Sequence, residues 1–286
     1  MHWFKKIISF YVDASVHVAL AVTSLAWITV LEFGFERSWE VMGFIFFGTI
    51  TGYNFVKYAP VAGWHHKTLT SSLKAIQLFS FLCAPAGLYF LIVSPVEVWY
   101  TVLPLAVLTF FYAIPFLHGS RRTDKGSSHL FSLRSLSGLK IFVVGMVWAG
   151  ATVLIPWAGS GEVADGIGYT LLQRFLFVIA WTLPFEIRDL AYDRPSLGTL
   201  PQLLGVERTK WLGYVLLLGC VVVELLKPDG AWAQLISCIL IAVISAVFIF
   251  RSKKEQSRYF ASFWVESIPI VWMFIFLFLY AYLESS

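Results

Sequence analysis

Nine long apolar stretches recur along the chain, at about residues 11–31, 39–58, 73–93, 97–116, 138–158, 168–186, 209–226, 231–250 and 263–283. Each is near the roughly 20 mostly apolar residues that a helix needs to cross a bilayer. None shows the short alternating segments of a membrane β-barrel. The pattern predicts an all-α polytopic membrane protein with nine transmembrane helices in a single domain, 1–286. Composition agrees: 58% of the residues are hydrophobic and 13% charged, against about half and about a quarter in soluble domains. No linker or fixed-period repeat divides the chain.

The polar segments alternate in charge. Counted from the N-terminus, the loops on one side hold Lys5 and Lys6, then Lys57, Lys67 and Lys74, then Arg121, Arg122, Lys125, Arg134 and Lys140. Arg188, Arg194, Arg208 and Lys210 come next on that side, then Arg251, Lys253, Lys254 and Arg258, making 18 of the 21 basic residues. The opposite loops hold Arg37 and Lys227 among mostly acidic residues. Basic loops stay in the cytoplasm, so the N-terminus is expected inside and the C-terminus outside. The net charge of +4 is therefore a topology signal and calls for no nucleic-acid partner. The longer polar segments, 59–72, 117–137, 187–208 and 251–262, are all on the basic side, where charged substrate chemistry is expected.

The opening MHWFKKIISFYVDASVHVAL puts basic residues before an apolar stretch, as a signal peptide does. It has no clear small-residue cleavage site and eight further stretches come after it, so it is expected to be a retained first helix. Cys83, Cys220 and Cys238 lie inside predicted helices without CxxC spacing and are expected to be buried structural thiols.

The densest charge cluster is PFEIRDLAYDRPSLGTLPQLLG, directly after the sixth apolar stretch. Glu186, Asp189 and Asp193 are spaced i, i+3, i+7 and would share one helical face. Carboxylates so placed suit Mg²⁺, which takes one or two protein carboxylates and completes its octahedron with phosphate and water. Such an ion stabilises charge on a departing diphosphate. Arg188 and Arg194 would hold phosphate oxygens or pair with the acids. A salt-bridged, snorkelling helix end explains the same residues, and the residues alone leave both accounts open.

RDLAYDRPSLGTLPQLLG resembles the second aspartate-rich motif of the UbiA superfamily of intramembrane prenyltransferases, in its RDxxxDR…TLPxxLG form. Nine helices, an inside N-terminus, the motif's place after the sixth helix and a basic residue opening the fifth, here Lys140, are similar to that family too. The resemblance implies an enzyme that binds an isoprenoid diphosphate at the cytoplasmic mouth, with its tail in a lateral, lipid-facing tunnel. Mg²⁺ would be held by Asp189 and Asp193 with Glu186 near, and the prenyl group would pass to a lipophilic or aromatic acceptor. Lys140, Arg188 and Arg194 would contact phosphate, with Arg121 and Arg122 from the cap. A bacterial inner membrane is the expected location.

The family's first motif, NDxxDxxxD, is degenerate. The corresponding segment reads GYNFVKYAPVAGW: Asn54 matches the leading Asn, and the aspartate positions are Phe55, Tyr58 and Ala62. No acid lies between Glu40 and Glu97, so no shift of register restores it. Either Lys57 replaces a metal as a point charge for phosphate, or ionisation is lost and the bundle binds a lipid without cleaving it. Lys57 also suits a plain positive-inside anchor. Three functions therefore stand open: prenyl transfer, cyclisation of the same cation as in the superfamily's terpene cyclases, and an inactive lipid-binding or assembly subunit.

Other positions have simpler expectations. His65 and His66 are adjacent and point different ways, as in an interfacial loop. Asp13 and His17, i, i+4 on the first stretch, are expected to bond each other, with a proton-abstracting pair facing the cavity as the alternative. Arg174 and Glu266 fall in or beside apolar runs and need a partner or a cavity. The 26 Phe, 12 Tyr and 12 Trp suit an aromatic-lined tunnel and ordinary membrane packing equally.

Overall fold

The computed structural model describes residues 2–62, 71–114, 117–118, 130–131, 138–192, 198–228 and 230–283. Twelve helices are described: α1 His2–Asp13, α2 Val16–Phe33, α3 Trp39–Ala62, α4 Ser71–Val93, α5 Val96–Ala113, α6 Leu139–Ala149, α7 Ile155–Ser160, α8 Ile167–Asp189, α9 Leu200–Leu204, α10 Val206–Leu225, α11 Trp232–Arg251 and α12 Ile268–Leu283. Two π-helical turns, Gly150–Leu154 and Phe260–Val265, join α6 to α7 and precede α12. Between α5 and α6, Leu117–His118 pairs antiparallel with Leu130–Phe131.

Each of the nine apolar stretches is mostly helical over its described residues. Among the described residues seven segments are long and apolar enough to cross a membrane, so this is a multi-pass membrane protein. The other two stretches lie in α3 and α10, which carry polar positions (Glu40, Asn54 and Lys57; Glu207, Arg208, Lys210 and Glu224) within 24 and 20 residues. The cysteines are free and buried, as expected.

Burial separates inner helices from outer ones. The candidate spans of α8 and α2 are 67% and 61% buried, those of α4 and α5 only 22% and 17%. Val18–Val30 of α2 and Phe177–Trp181 of α8 form the core with α10, α11 and α12. Large apolar side chains such as Phe81, Leu103, Phe250 and Phe274 face outward, as the girdle of a bilayer protein requires. Small residues set the closest helix approach. An added Cβ at Gly87 of α4 would stand 3.3 Å from the backbone nitrogen of Gly48 on α3. Gly87→Leu is therefore expected to wedge α3 from α4 and lower the thermal midpoint in detergent, with Gly87→Ala far milder; equal midpoints would contradict this packing.

The first stretch is not one helix. Ser15 adopts φ 64°, the one non-glycine residue at positive φ among those described. The side chain of Asn54 supplies the reason: its Nδ2 donates to Ala14 O at 3.1 Å, and Ser15 Oγ donates to its Oδ1 at 2.8 Å. Bonds from α3 thus hold a break between α1 and α2. The break also cancels the expected Asp13–His17 bond. Asp13 accepts from Ser9 and pairs with Arg258, while His17 bonds Tyr11 Oη and donates Nε2–H to Phe263 O at 2.9 Å.

Arg174, whose partner could not be read from the sequence, lies in a buried polar cluster at the end of the bundle where the acidic loops meet. Glu32 accepts from Lys227 Nζ and Thr170 Oγ1, each at 2.6 Å, and its Oε2 is 3.7 Å from Arg174. Lys227 also bridges to Glu224 at 2.7 Å, and the Arg174 guanidinium lies 4.2 Å from the Trp272 ring centroid. Two cations and two carboxylates balance, as charges removed from water must.

Candidate functional site

A cavity of about 790 Å³ opens among α3, α5, α6, α8 and the segment from Arg258 to Pro269. Its body is apolar, with Phe44, Val102, Leu105, Val147, Ile155 and Trp181 among the lining residues. Its mouth is charged: Lys57 near the end of α3, Lys140 at the start of α6, Arg188 and Asp189 at the end of α8, and Asp13 and Arg258 across from them. These ends all belong to the basic side of the charge alternation, so the fold gathers the basic loops at one end of the bundle.

The end of α8 is explained by its sequence. Pro184 lacks an N–H for the helical ladder, and its carbonyl accepts from Gln256 Nε2 at 2.9 Å. The hydrogen-bonded helix stops at Asp189, and Tyr192 N closes a turn onto Asp189 O at 2.9 Å. Glu186 and Asp189 do share a face, as the i, i+3 spacing predicts. The helix gives way to a turn at Leu190–Tyr192, and the i+7 position, Asp193, lies outside the described residues. Beyond the turn, TLPQLLG forms α9, whose start is closed by Thr199 N donating to Gln202 Oε1 at 3.1 Å.

The charges at the mouth are coupled. Lys140 Nζ donates to Glu186 Oε1 at 2.6 Å and lies 3.9 Å from Asp189 Oδ2. Arg188 holds Asp189 Oδ1 through both Nε and a terminal nitrogen at 2.8 Å. Glu186 is buried under Lys140, whereas Asp189 stays partly exposed in the cavity. On the facing wall, Lys57 Nζ donates to Ser15 Oγ at 3.0 Å and Tyr58 Oη donates to Asp13 O at 3.1 Å. The lysine of the degenerate first motif therefore points into the cavity opposite the carboxylates.

Of the residues expected to touch substrate, Lys57, Lys140, Glu186, Arg188 and Asp189 line this one cavity. Asn54 does not: it is buried, and both ends of its amide are taken up by the α1–α2 break. It acts on the site by fixing Ser15, which holds Lys57. Asp193, Arg194, Arg121 and Arg122, with His65 and His66, lie outside the described residues. Sequence reasoning missed Ser15 and Arg258, and left Glu266 without a role. Arg258 looked like any cytoplasmic-side charge, and Ser15 carries no local signal at all.

The donor set can be tested for a divalent ion. Among the described residues no three His, Cys, Asp or Glu side chains converge. Glu186 is already bound by Lys140, so it is poorly placed as a ligand. Asp189 Oδ2 makes no hydrogen bond among the described residues, with Lys140 Nζ 3.9 Å away, and Asp189 lines the cavity. One free hard oxygen there, joined by phosphate oxygens of a bound substrate, is the minimal arrangement that Mg²⁺ accepts from a protein.

At the level of sequence, no protein-family model and no curated protein matches the chain. Solved structures do match it in fold. A UbiA homologue from Archaeoglobus fulgidus bound to GPP and Mg²⁺ superposes with a TM-score of 0.62 at 14% identity, over 95% of this chain and 99% of that one. The apo structure of a UbiA homologue from Aeropyrum pernix K1 gives 0.65 at 11% identity, over 92% and 97%. A digeranylgeranylglyceryl phosphate synthase gives 0.56 at 16% identity, over 96% and 97%. The chain has the fold of the UbiA homologues along nearly its whole length.

Proposed function

We propose that this protein is a UbiA-type prenyltransferase that binds an isoprenoid diphosphate with its head at the charged mouth and its tail in the apolar body. The observation that carries this reading is the shape of the cavity's polarity: one volume, apolar along its length and strongly charged at one end. That is the complement of an amphiphile with an anionic head. The likeness in fold to a homologue bound to GPP and Mg²⁺ supports the same assignment. Nine crossings with the N-terminus in the cytoplasm accord with the charge alternation, so the head would be met from the cytoplasm.

Each residue then has a task. Lys57 and Lys140 approach the diphosphate from opposite walls as point charges. Arg188 and Arg258 add planar donors, and Arg194, Arg121 and Arg122 are assigned to the same head group from the adjoining loops. Glu186 keeps Lys140 aimed at the mouth. Asp189 and Asp193 would hold Mg²⁺, which supplies a Lewis acid for the leaving diphosphate. The aromatic rings of Tyr53, Phe185 and Trp181 line the volume where C1 of the chain would be exposed, and exclude water from it. A lipophilic acceptor enters from the membrane side.

The test is thermal unfolding of the full chain in detergent with geranyl, farnesyl or geranylgeranyl diphosphate and Mg²⁺, alongside an assay for released diphosphate. A ligand at 100 times its Kd should add about 2.7 kcal/mol of stability, a rise of several degrees. Absence of both stabilisation and release with all three would overturn the reading. Stabilisation without release would favour a binding-only protein, a reading supported by the replacement of the first-motif acids with Phe55, Tyr58 and Ala62. A cyclic hydrocarbon made without acceptor would mark a cyclase.

A further inference from the structure

Of the described carboxylates that line the cavity, one has no partner among the described residues. Asp13 is paired with Arg258, Glu186 with Lys140, and Asp189 with Arg188. Glu266 lines the same cavity, and among the described residues its side chain makes no hydrogen bond or ion pair. It belongs to the segment from Arg258 to Pro269 that lines the cavity, between Val265 and Pro269 in the chain. An ionisable group at membrane depth without a structural partner is a functional residue by default.

Its position depends on a local irregularity. Residues Phe260–Val265 form a π-helical turn, and Glu266 N donates to Ala261 O, five residues back, at 3.2 Å. One residue inserted into a helix rotates every later side chain by about 100°. Such bulges are costly and gather at functional sites. Here the turn is pinned from α2, because His17 donates to Phe263 O and stacks on the Phe263 ring at 4.8 Å. Lys57 and Arg188 line the same cavity as Glu266. It therefore sits beside the diphosphate region without being neutralised by direct contact.

We propose that Glu266 is the proton acceptor of the reaction, and that the acceptor substrate is a lipophilic compound that must lose a proton from oxygen or from an aromatic carbon. The inference rests on the prenyl-transfer reading. In the step, the C1–O bond of the prenyl diphosphate breaks and its electron pair leaves with diphosphate. A lone pair or π pair of the acceptor forms the new bond to C1. The O–H or ring C–H proton made acidic by that bond passes to a Glu266 carboxylate oxygen, and from there to solvent. No oxidant or further reactant is required. When no acceptor is present, the same carboxylate takes a proton from the allylic cation itself, and a triene forms in place of an alcohol.

That last consequence gives a test independent of the unidentified acceptor. The full chain in detergent is incubated with geranyl diphosphate and Mg²⁺ alone, and both diphosphate and C10 products are measured. Wild type is expected to give C10H16 trienes together with the alcohols of water capture. In Glu266→Gln the triene-to-alcohol ratio, measured per diphosphate released, should fall ~10²-fold, the usual scale for loss of a positioned base. Glu266→Asp should recover part of the ratio; a purely structural role would change the thermal midpoint but not this partition. An unchanged ratio in Glu266→Gln, or no triene from an active wild type, overturns the inference. No diphosphate release from wild type overturns the prenyl-transfer reading itself, and this inference with it.

Discussion

Asp189→Asn is expected to reduce diphosphate release by ~10²–10³-fold or more, the scale seen when one preorganised charge-stabilising group is removed. The substitution keeps the size and a hydrogen-bond acceptor for Arg188, but removes the negative charge that a hard cation needs at the free Oδ2. Asp189 stands partly exposed at the mouth, so the thermal midpoint without ligand should barely move. Stabilisation by geranyl diphosphate should lose its dependence on Mg²⁺. Release kinetics and ligand-dependent unfolding together check this. Unchanged release in Asp189→Asn would remove the motif from the chemistry and leave the cluster at the end of α8 as a salt-bridged helix terminus.

The second large effect is on stability and lies at the other end of the bundle. Glu32→Gln is expected to destabilise the protein by about 3–5 kcal/mol, because removing one partner of a buried ion cluster leaves uncompensated charge. Arg174 and Lys227 would then share the single carboxylate of Glu224. Arg174→Met should also destabilise, with the opposite residual charge. The double variant restores balance through the remaining Lys227–Glu224 pair, and should recover part of the loss. Unfolding of the four proteins in one detergent forms a double-mutant cycle. Additive effects would show that Arg174 is held by Trp272 rather than by Glu32. Geranyl diphosphate should stabilise all four by the same amount, since the cluster does not line the cavity.

How much of this was legible beforehand differs between fold and site. The helices were, because a bilayer demands long apolar segments and each leaves a local mark. So was the grouping of Lys57, Lys140, Arg188 and Asp189, through the alternation of basic loops and the likeness of RDLAYDRPSLGTLPQLLG to a known motif. The Asp13–His17 pairing was not, because i, i+4 spacing presumes an unbroken helix, and a side chain 39 residues away breaks it at Ser15. Asn54 matched the leading residue of a metal motif, yet it faces that break instead of the cavity. Spacing says which residues share a helix face; it does not say what the face meets.

From the sequence alone came the membrane class, the helical stretches, the grouping of the basic loops and the identity of the charged mouth. These come from composition and short-range pattern, which hydropathy and local hydrogen bonding control. The tertiary structure alone decided which charges cancel. Lys140 meets Glu186 across 46 residues, Lys227 meets Glu32 across 195, and Arg258 meets Asp13 across 245. A buried charge is stable only beside its opposite, and the fold brings such pairs together from distant segments. Once these pairings are in place, Glu266 is the cavity carboxylate that remains unpaired among the described residues, and that is why a lone acid in an apolar run becomes a candidate for chemistry.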